Sequence, residues 1–408
     1  MNGPERVVIT GIGAVSALGA GIEPLFAGAL AGESGIRPWP GPDSRWVAAT
    51  IPEEMASRSM PGLPTNVDRH VGFATLAVRE ALANAQLGEL SAVQSERFGV
   101  YWGTGVGSAA TTENSYARLH AGQRIGPMTV LLAMQNAALA QIALEFGLRG
   151  PQLSVSQACA SAATAIGEAM LALRWGRADR IIVGGSEAPV VPGQMQAWDA
   201  LRVLARRDEN APEKSCRPFD RKRTGLALGE GAAAFVLERE SVALARGAHI
   251  HAELCGYGNA GDASHYARPD ADGQRRAMAL AVRDGEVALA EIGYINAHAT
   301  ATTVGDQIEA AAIREFFSGS GAAPAVSSTK GVHGHTLGAA GALELAITVL
   351  ALERGTLPPT AHLDEPGVDG IELLHGQAKH MDIDVALSNT FAFGGSNVSL
   401  AIRRHRAA

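Results

Sequence analysis

The sequence predicts an α/β fold in which helices pack on sheets, and two observations point there. Short β-rich apolar runs alternate with Ala/Leu-rich helical stretches along all 408 residues, the pattern of layered α/β architectures. The pattern is also written twice. Leu153-Ser154-Val155-Ser156-Gln157-Ala158-Cys159 and the helix after it parallel Ala325-Val326-Ser327-Ser328-Thr329-Lys330 and the helix after it. Cys159 is followed nine positions later by Glu168 and His335 nine positions later by Glu344, and the two helices close at Gly176 and Gly355. Ala-rich helices also resemble one another by chance, so at this level the chain is one unit or two fused halves.

In order along the chain, strands are expected at Val7–Ile9, Phe98–Tyr101, Leu153–Val155, Ile181–Val183, Ala232–Leu237, Ala325–Ser327 and Val398–Ile402. Helices are expected at Phe73–Ala85, Thr129–Phe146 and Ser161–Arg174. Leu357-Pro358-Pro359-Thr360 reads as a local turn, and no Pro/Ser-rich linker separates independent domains.

Composition narrows the function classes. At 47% hydrophobic and 18% charged residues the chain has ample apolar surface to fold, which excludes intrinsic disorder. Lys and Arg number 34 against 41 Asp and Glu, a net charge of −7 without long like-charged runs, so nothing calls for nucleic acid. The 48 glycines and 5% aromatic content indicate closely approaching backbones. No window of ~18 uninterrupted apolar residues predicts a membrane span. Met1 to Thr10 runs directly into a strand without the regions of a signal peptide. Cys159, Cys216 and Cys255 are too few and too scattered for a disulfide framework or a CxxC metal site, and a reducing cytoplasm is the compartment this implies.

The chemistry gathers around Cys159. It follows a strand and precedes a helix of small residues, where the positive end of the helix dipole favours thiolate over thiol; the alternative for any single cysteine is a small buried hydrophobe. His298 sits where a strand end runs into Ala299-Thr300-Ala301-Thr302, and His335 sits in Lys330-Gly331-Val332-His333-Gly334-His335. Such glycine-flanked settings suit a loop that approaches a ligand. No third His or carboxylate is spaced to complete a metal site, so no metal is expected. Gly225 to Gly231 lacks the spacing of a nucleotide loop and reads as close strand packing.

Taken together, Val8-Ile9-Thr10-Gly11-Ile12-Gly13-Ala14-Val15-Ser16, Gln157-Ala158-Cys159-Ala160-Ser161, Asn296-Ala297-His298-Ala299-Thr300, Ser328-Thr329-Lys330 through Gly334-His335, and Ser388-Asn389-Thr390-Phe391-Ala392-Phe393-Gly394-Gly395-Ser396-Asn397 resemble the elongating β-ketoacyl-[acyl carrier protein] synthases, end to end and in order. The resemblance implies a thiolase-like fold of two similar fused halves in α-β-α-β-α layers, residues 1–245 with the nucleophile and 246–408 with both histidines. It implies that Cys159 takes an acyl chain from a carrier-protein thioester, and that His298 and His335 stabilise the enolate left when malonyl-carrier protein loses carbon dioxide. Lys330 then pairs with Glu309 and Glu344, Asp306 belongs to the same network, and Thr300 and Thr302 hold the phosphopantetheine arm. Backbone N–H groups of Cys159 and Phe393 hold the oxyanion, Phe393 gates the acyl pocket, Trp198 is a substrate-binding position, and Met128-Thr129 lies in a stretch that in the family dimer reaches the partner's acyl pocket. No cofactor is required for catalysis; a structural monovalent cation is implied, as are a homodimer or a heterodimer with a ketosynthase-like partner, and acyl carrier protein as substrate carrier.

Several positions depart from the family pattern: Ala299 and Ala392 replace glycines, which stiffens the gate loop, His333 adds a third imidazole, Gln157 replaces Thr or Ser, Met128-Thr129 falls where aromatics are common, and Trp198 is larger than the usual Phe. They imply a specialised, unsaturated or polyene acyl chain. Two rivals stand. A non-catalytic chain-length-factor subunit lacks the nucleophilic cysteine that is present here. A coenzyme A-dependent thiolase needs a second catalytic cysteine, and Cys255 has a strand-like setting without the glycine context; Cys216 likewise matches no catalytic position.

Overall fold

The computed structural model describes residues 5–41, 43, 45–58, 67–88 and 91–406, so Met1 to Pro4 of the opening run lie outside the described residues. Two runs of elements repeat one order. The first is β1 (Val7–Ser16), α1 (Arg69–Asn84), β2 (Phe98–Gly103), α2 (Ala137–Phe146), β3 (Gln152–Val155), α3 (Ser161–Arg174), β4 (Arg180–Glu187) and β5 (Gly231–Arg239). The second is β6 (Ala252–Gly261), α4 (Ala271–Asp284), β7 (Ile292–Asn296), α5 (Thr303–Phe316), β8 (Ala325–Ser327), α6 (Ala340–Arg354), β9 (Val385–Ala392) and β10 (Ser396–Arg403).

The strands lie in the order β3-β2-β4-β5-β1-β6-β10-β9-β7-β8. In each half two parallel pairings are followed by two antiparallel ones. The halves join where β1 meets β6 antiparallel through only Val8 with Glu253 and Ile9 with Ala252. Helices α3 and α6 pack against each other and against both halves of the sheet, α1 and α2 cover the outer face of the first half, and α4 and α5 that of the second. These are five layers, α-β-α-β-α. The middle helices have no solvent face: nearly all of α6 and most of α3 are buried, which only small and aliphatic side chains allow at such close approach.

Two glycine pairs show how deep the repeat runs. A Cβ on Gly11 or Gly13 of β1 would lie 2.2 Å from Ala81 O or 2.1 Å from Ala77 O of α1. In the second half, a Cβ on Gly256 or Gly258 of β6 would lie 2.1 Å from Ala281 O or 2.0 Å from Ala277 O of α4. Any other residue would push the outer helix off its sheet.

Each expected strand is present, mostly longer than its apolar run. The expected helix Thr129–Phe146 is instead two, Thr129–Ala133 and α2, broken at Met134, which is extended at φ −67° and ψ 147°. No helix among the described residues is long and apolar enough to cross a membrane.

Candidate active site

The two middle helices start at the same place. Ala158, at φ +47°, turns the chain sharply between β3 and α3 and presents Cys159 two residues before the helix begins, with its sulfur buried. From the other half, His335 leads into α6 and His298 follows the end of β7. Cys159 Sγ lies 3.1 Å from His335 Nε2. The rings of His298 and His335 stand edge to face, 5.3 Å between centroids at 81°. One ligand-type atom from each of the three residues lies within 4.8 Å of the others. All three line a cavity of about 550 Å³.

Ionisation follows from burial. His298 and His335 are held well below the usual histidine range by loss of water, then by the charge of Lys330, so both are neutral imidazoles. The Nδ1 atoms of both are buried without a hydrogen-bond partner among the described residues. An unpaired lone pair there costs less than a buried unpaired N–H, so the proton belongs on Nε2, toward Cys159 in the case of His335. Burial pushes the Cys159 thiol up to about 12, against the pull of Lys330 and of a hydrogen bond from the Phe393 backbone N–H. The helix end therefore does not leave a resting thiolate, as the sequence suggests, because desolvation opposes the dipole.

The surrounding charges are all buried. Lys330 Nζ pairs with Glu344 Oε1, and neither side chain has any exposed surface. Glu309 departs from expectation: its carboxylate accepts the backbone N–H groups of His298 at 2.8 Å and Ala299 at 2.7 Å. It fixes the histidine's backbone instead of pairing with Lys330, and burial raises it to about 8. Asp306, raised to about 6 by burial, accepts from Phe219 N at 2.7 Å and faces Arg223 at 3.7 Å. His333 is a third imidazole near the site, close enough to act on His335; it bonds Thr329 Oγ1 at 3.0 Å and does not line the cavity.

Thr300 and Thr302 line the cavity with their hydroxyls 3.1 Å apart. Phe393 lines it too, and Trp198 stacks on Phe393 at 5.9 Å and 24°. Met128 and Thr129 do not line this chain's own cavity; Met128, just before the short helix Thr129–Ala133, is 52% exposed. Neither Ala299 nor Ala392 has a positive φ, so alanine is accommodated at both without strain. The glycine-rich run also does more than pack strands, since Ala227 O accepts His335 N–H at 2.7 Å and Gly229 N–H bonds His335 O at 2.9 Å.

The sequence reading missed Glu187. This buried acid closes β4 and accepts from Gly105, Val106, Gly107 and Gly338 N–H at 2.6 to 3.1 Å and from Thr104 Oγ1 at 2.9 Å. Five donors tie the loop after β2 to the His335 loop across the two halves. Its signal was an acid ending an otherwise apolar run, Ile181 to Gly185.

A nucleophilic thiol and two neutral imidazoles facing one cavity, in a fold of two fused halves, define an acyl-transferring enzyme of the thiolase superfamily. Residues 4–243 match the family model "Beta-ketoacyl synthase, N-terminal domain" and residues 251–364 match "Beta-ketoacyl synthase, C-terminal domain", and the chain belongs to the β-ketoacyl synthase family. It is 38% identical to a 3-oxoacyl-[acyl-carrier-protein] synthase 2 of Coxiella burnetii, over 98% of this chain and 99% of that one. Nodulation protein E of Rhizobium sp. strain N33 is 39% identical over 98% and 99%. Among solved structures, a β-ketoacyl synthase from Burkholderia phymatum superposes with a TM-score of 0.89 at 34% identity, covering 98% of this chain and 100% of that one. The ishigamide ketosynthase/chain length factor superposes at 0.88 and 32% identity, covering 99% and 100%.

Proposed function

We propose that Cys159, His298 and His335 perform a two-stage decarboxylative condensation on carrier-protein thioesters. In the first stage Cys159 Sγ attacks the thioester carbonyl and loses its proton, the carrier thiol leaves with a proton, and the acyl chain stays on the enzyme. The α3 N-terminus and the N–H groups of Cys159 and Phe393 favour the transient oxyanion. In the second stage a malonyl thioester places its carbonyl oxygen between the two Nε2–H donors. Carbon dioxide leaves, its bonding electrons become an enolate, and the enolate carbon attacks the Cys159 thioester, releasing the 3-oxoacyl product and the cysteine sulfur, which regains a proton. Neutral N–H donors bind the enolate more tightly than the ground-state carbonyl, which is what lowers the barrier. The single observation behind this reading is the Cys159–His335 contact of 3.1 Å with His298 at right angles beside it.

Lys330 and Glu344 act as a buried pair that sets the potential at both imidazoles. Thr300 and Thr302 hold the phosphopantetheine arm, whose phosphate finds positive charge at Arg202 and Arg268 on the same cavity. Phe393 lines the cavity with Trp198 stacked on it, an aromatic support that suits an unsaturated or polyene chain; purified enzyme offered saturated and conjugated acyl-carrier proteins of several lengths tests this, and a preference for saturated chains ends it. A structural monovalent cation takes hard oxygen donors, and Asn296 Oδ1 and Ser388 Oγ, buried without partners at paired positions of β7 and β9, are such donors; they would steady the strands beneath His298.

The partner is a second copy or a ketosynthase-like subunit. Strand β3 ends the sheet unpaired and lies near exposed Met128, Val130, Leu131 and Met134, an apolar face of the kind a partner covers. Residues 1–245 and 246–408 are the two units, and the compartment is the cytoplasm. Mass spectrometry of the enzyme after incubation with acyl-carrier protein tests the central reading. An acyl adduct on Cys159, absent from Cys159→Ala, is expected; no adduct with any donor would favour the non-catalytic chain-length-factor role.

A further inference from the structure

A second cluster lies where the two halves join. His249 and His251 precede β6, Glu353 is in the last turn of α6, and Asn84 ends α1. His249 Nε2 lies 2.9 Å from Glu353 Oε1, His251 Nδ1 lies 2.9 Å from Glu353 Oε2, and the two rings stand edge to face at 4.6 Å. The donor atoms of the three residues lie within 4.8 Å of one another.

The hydrogen bonds around His251 set a constraint. Asn84 Oδ1 accepts the backbone N–H of Ile12 at 2.9 Å, so that atom is the amide oxygen and not the nitrogen. It also faces His251 Nε2 at 2.8 Å, which must therefore carry a proton. A neutral His251 then turns the lone pair of Nδ1 toward the carboxylate of Glu353. Two acceptors at 2.9 Å repel unless a cation lies between them. A metal-bound histidine has this arrangement, one ring nitrogen on the ion and the other donating to an oxygen that fixes the tautomer.

We propose that His249 Nε2, His251 Nδ1 and the Glu353 carboxylate bind a zinc-class divalent ion, with Asn84 orienting His251. Two imidazoles and one carboxylate form a zinc ligand set of the open kind, with the fourth position left to water. His249, 64% exposed, keeps that position open to solvent, while His251, 7% exposed, is the buried anchor. Both histidines and Glu353 belong to the second half, so the ion would bind within it and reach the first half only through the hydrogen bond between His251 and Asn84 of α1. Binding only the folded chain, it would raise the melting temperature in proportion to the logarithm of its concentration.

The test uses the full-length chain stripped with chelator and titrated with zinc at neutral pH. The Cys159, His298 and His335 cluster is a competing set, so the titration is run in both wild type and Cys159→Ala. One equivalent is expected to bind in both, with a Kd of micromolar or below and a higher melting temperature. His249→Ala and Glu353→Gln, both at the surface or its edge, should weaken that binding at least tenfold without changing condensation activity. Cobalt(II) as a second probe should give visible absorption without the thiolate-to-metal band that binding at Cys159 would produce. Binding that disappears in Cys159→Ala, or persists unchanged in His249→Ala and Glu353→Gln, would overturn the proposal. So would no binding at all, which would leave a protonated His251 paired with Glu353 as the explanation of the geometry.

Discussion

The mouths of α3 and α6 are the same structural position in the two halves, and they are furnished in opposite ways. The α3 mouth holds one ionisable group, the neutral thiol of Cys159, in an apolar cluster with Met195, Leu226 and Leu337. The α6 mouth holds His335 above a fully buried ion pair, Lys330 with Glu344. The difference persists inside the helices: Glu344, the fifth residue of α6, is wholly buried, whereas Glu168, nine residues past Cys159 but the eighth residue of α3, is part-exposed and meets Tyr257 OH at 3.4 Å. One fold used twice has thus divided the chemistry. In the proposed reaction the first half supplies an attacking atom, and the second supplies the electrostatics.

The comparison can be broken first at the ion pair. Glu344→Gln leaves Lys330 with a buried uncompensated charge, and Lys330→Met leaves Glu344 to take up a proton or unfold. Each should cost about 3–5 kcal/mol of stability, read by denaturant unfolding. The double variant Lys330→Met with Glu344→Gln should recover most of it. A loss in the double equal to the sum of the singles would show that the pair acts through packing alone.

Next in size is the division between the two stages. His298→Ala removes one enolate donor and should lower malonyl decarboxylation by about 10²–10³-fold, while acylation of Cys159, read by mass spectrometry, stays largely intact. His335→Ala is the sharper probe, since its ring touches the sulfur. If it slows acylation as much as decarboxylation, the second half takes part in both stages. Smaller again is the effect of acid. Both imidazoles are held well below the usual range, so decarboxylation should be flat between pH 8 and pH 6, where an ordinary histidine would lose about four-fold of its neutral form. The same shifts have a sign in stability: below about pH 6.5 the unfolded chain takes up protons that these buried rings refuse, so their contribution falls with falling pH. A decarboxylation rate that halves near pH 6.5 would mean that the histidines are less desolvated than their burial indicates.

Sequence reading reached the reacting atoms and stopped short of what holds them. Cys159, His298 and His335 stand out because a thiol at a helix start and imidazoles in glycine-bearing loops are unusual company. The repeat was visible in the two strand-to-helix segments, and the matched pairs Gly11-Gly13 and Gly256-Gly258 extend it to the outer helices. Contacts between distant segments were not legible. Glu309 is an acid one helix turn past Asp306, and nothing local says that it caps two backbone N–H groups instead of meeting Lys330. Glu187 links loops from both halves, a role that exists only once the halves are folded together. The ionisation of Cys159 was misjudged for a related reason: the helix dipole is local to the sequence, but the loss of water is set by everything packed around the sulfur.

The smallest expected effect is the one that bears most directly on how far the likeness of the halves extends. Glu168 and Glu344 each follow their half's reactive residue by nine positions. Glu168→Gln keeps an acceptor for Tyr257 and loses a charge that solvent already screens. Stability should change by no more than about 0.5 kcal/mol, and acylation and decarboxylation should both stay at wild-type rates. If Glu168→Gln instead matched Glu344→Gln in cost, a charge in the middle layer would be needed under both helix mouths, and the nucleophile would depend on its own half's electrostatics as well as its neighbour's. If it is silent, the acid at that place in α3 has no share in the reaction, and the thiol draws its electrostatic environment across the α3–α6 contact from Lys330, whose charge already acts on Cys159.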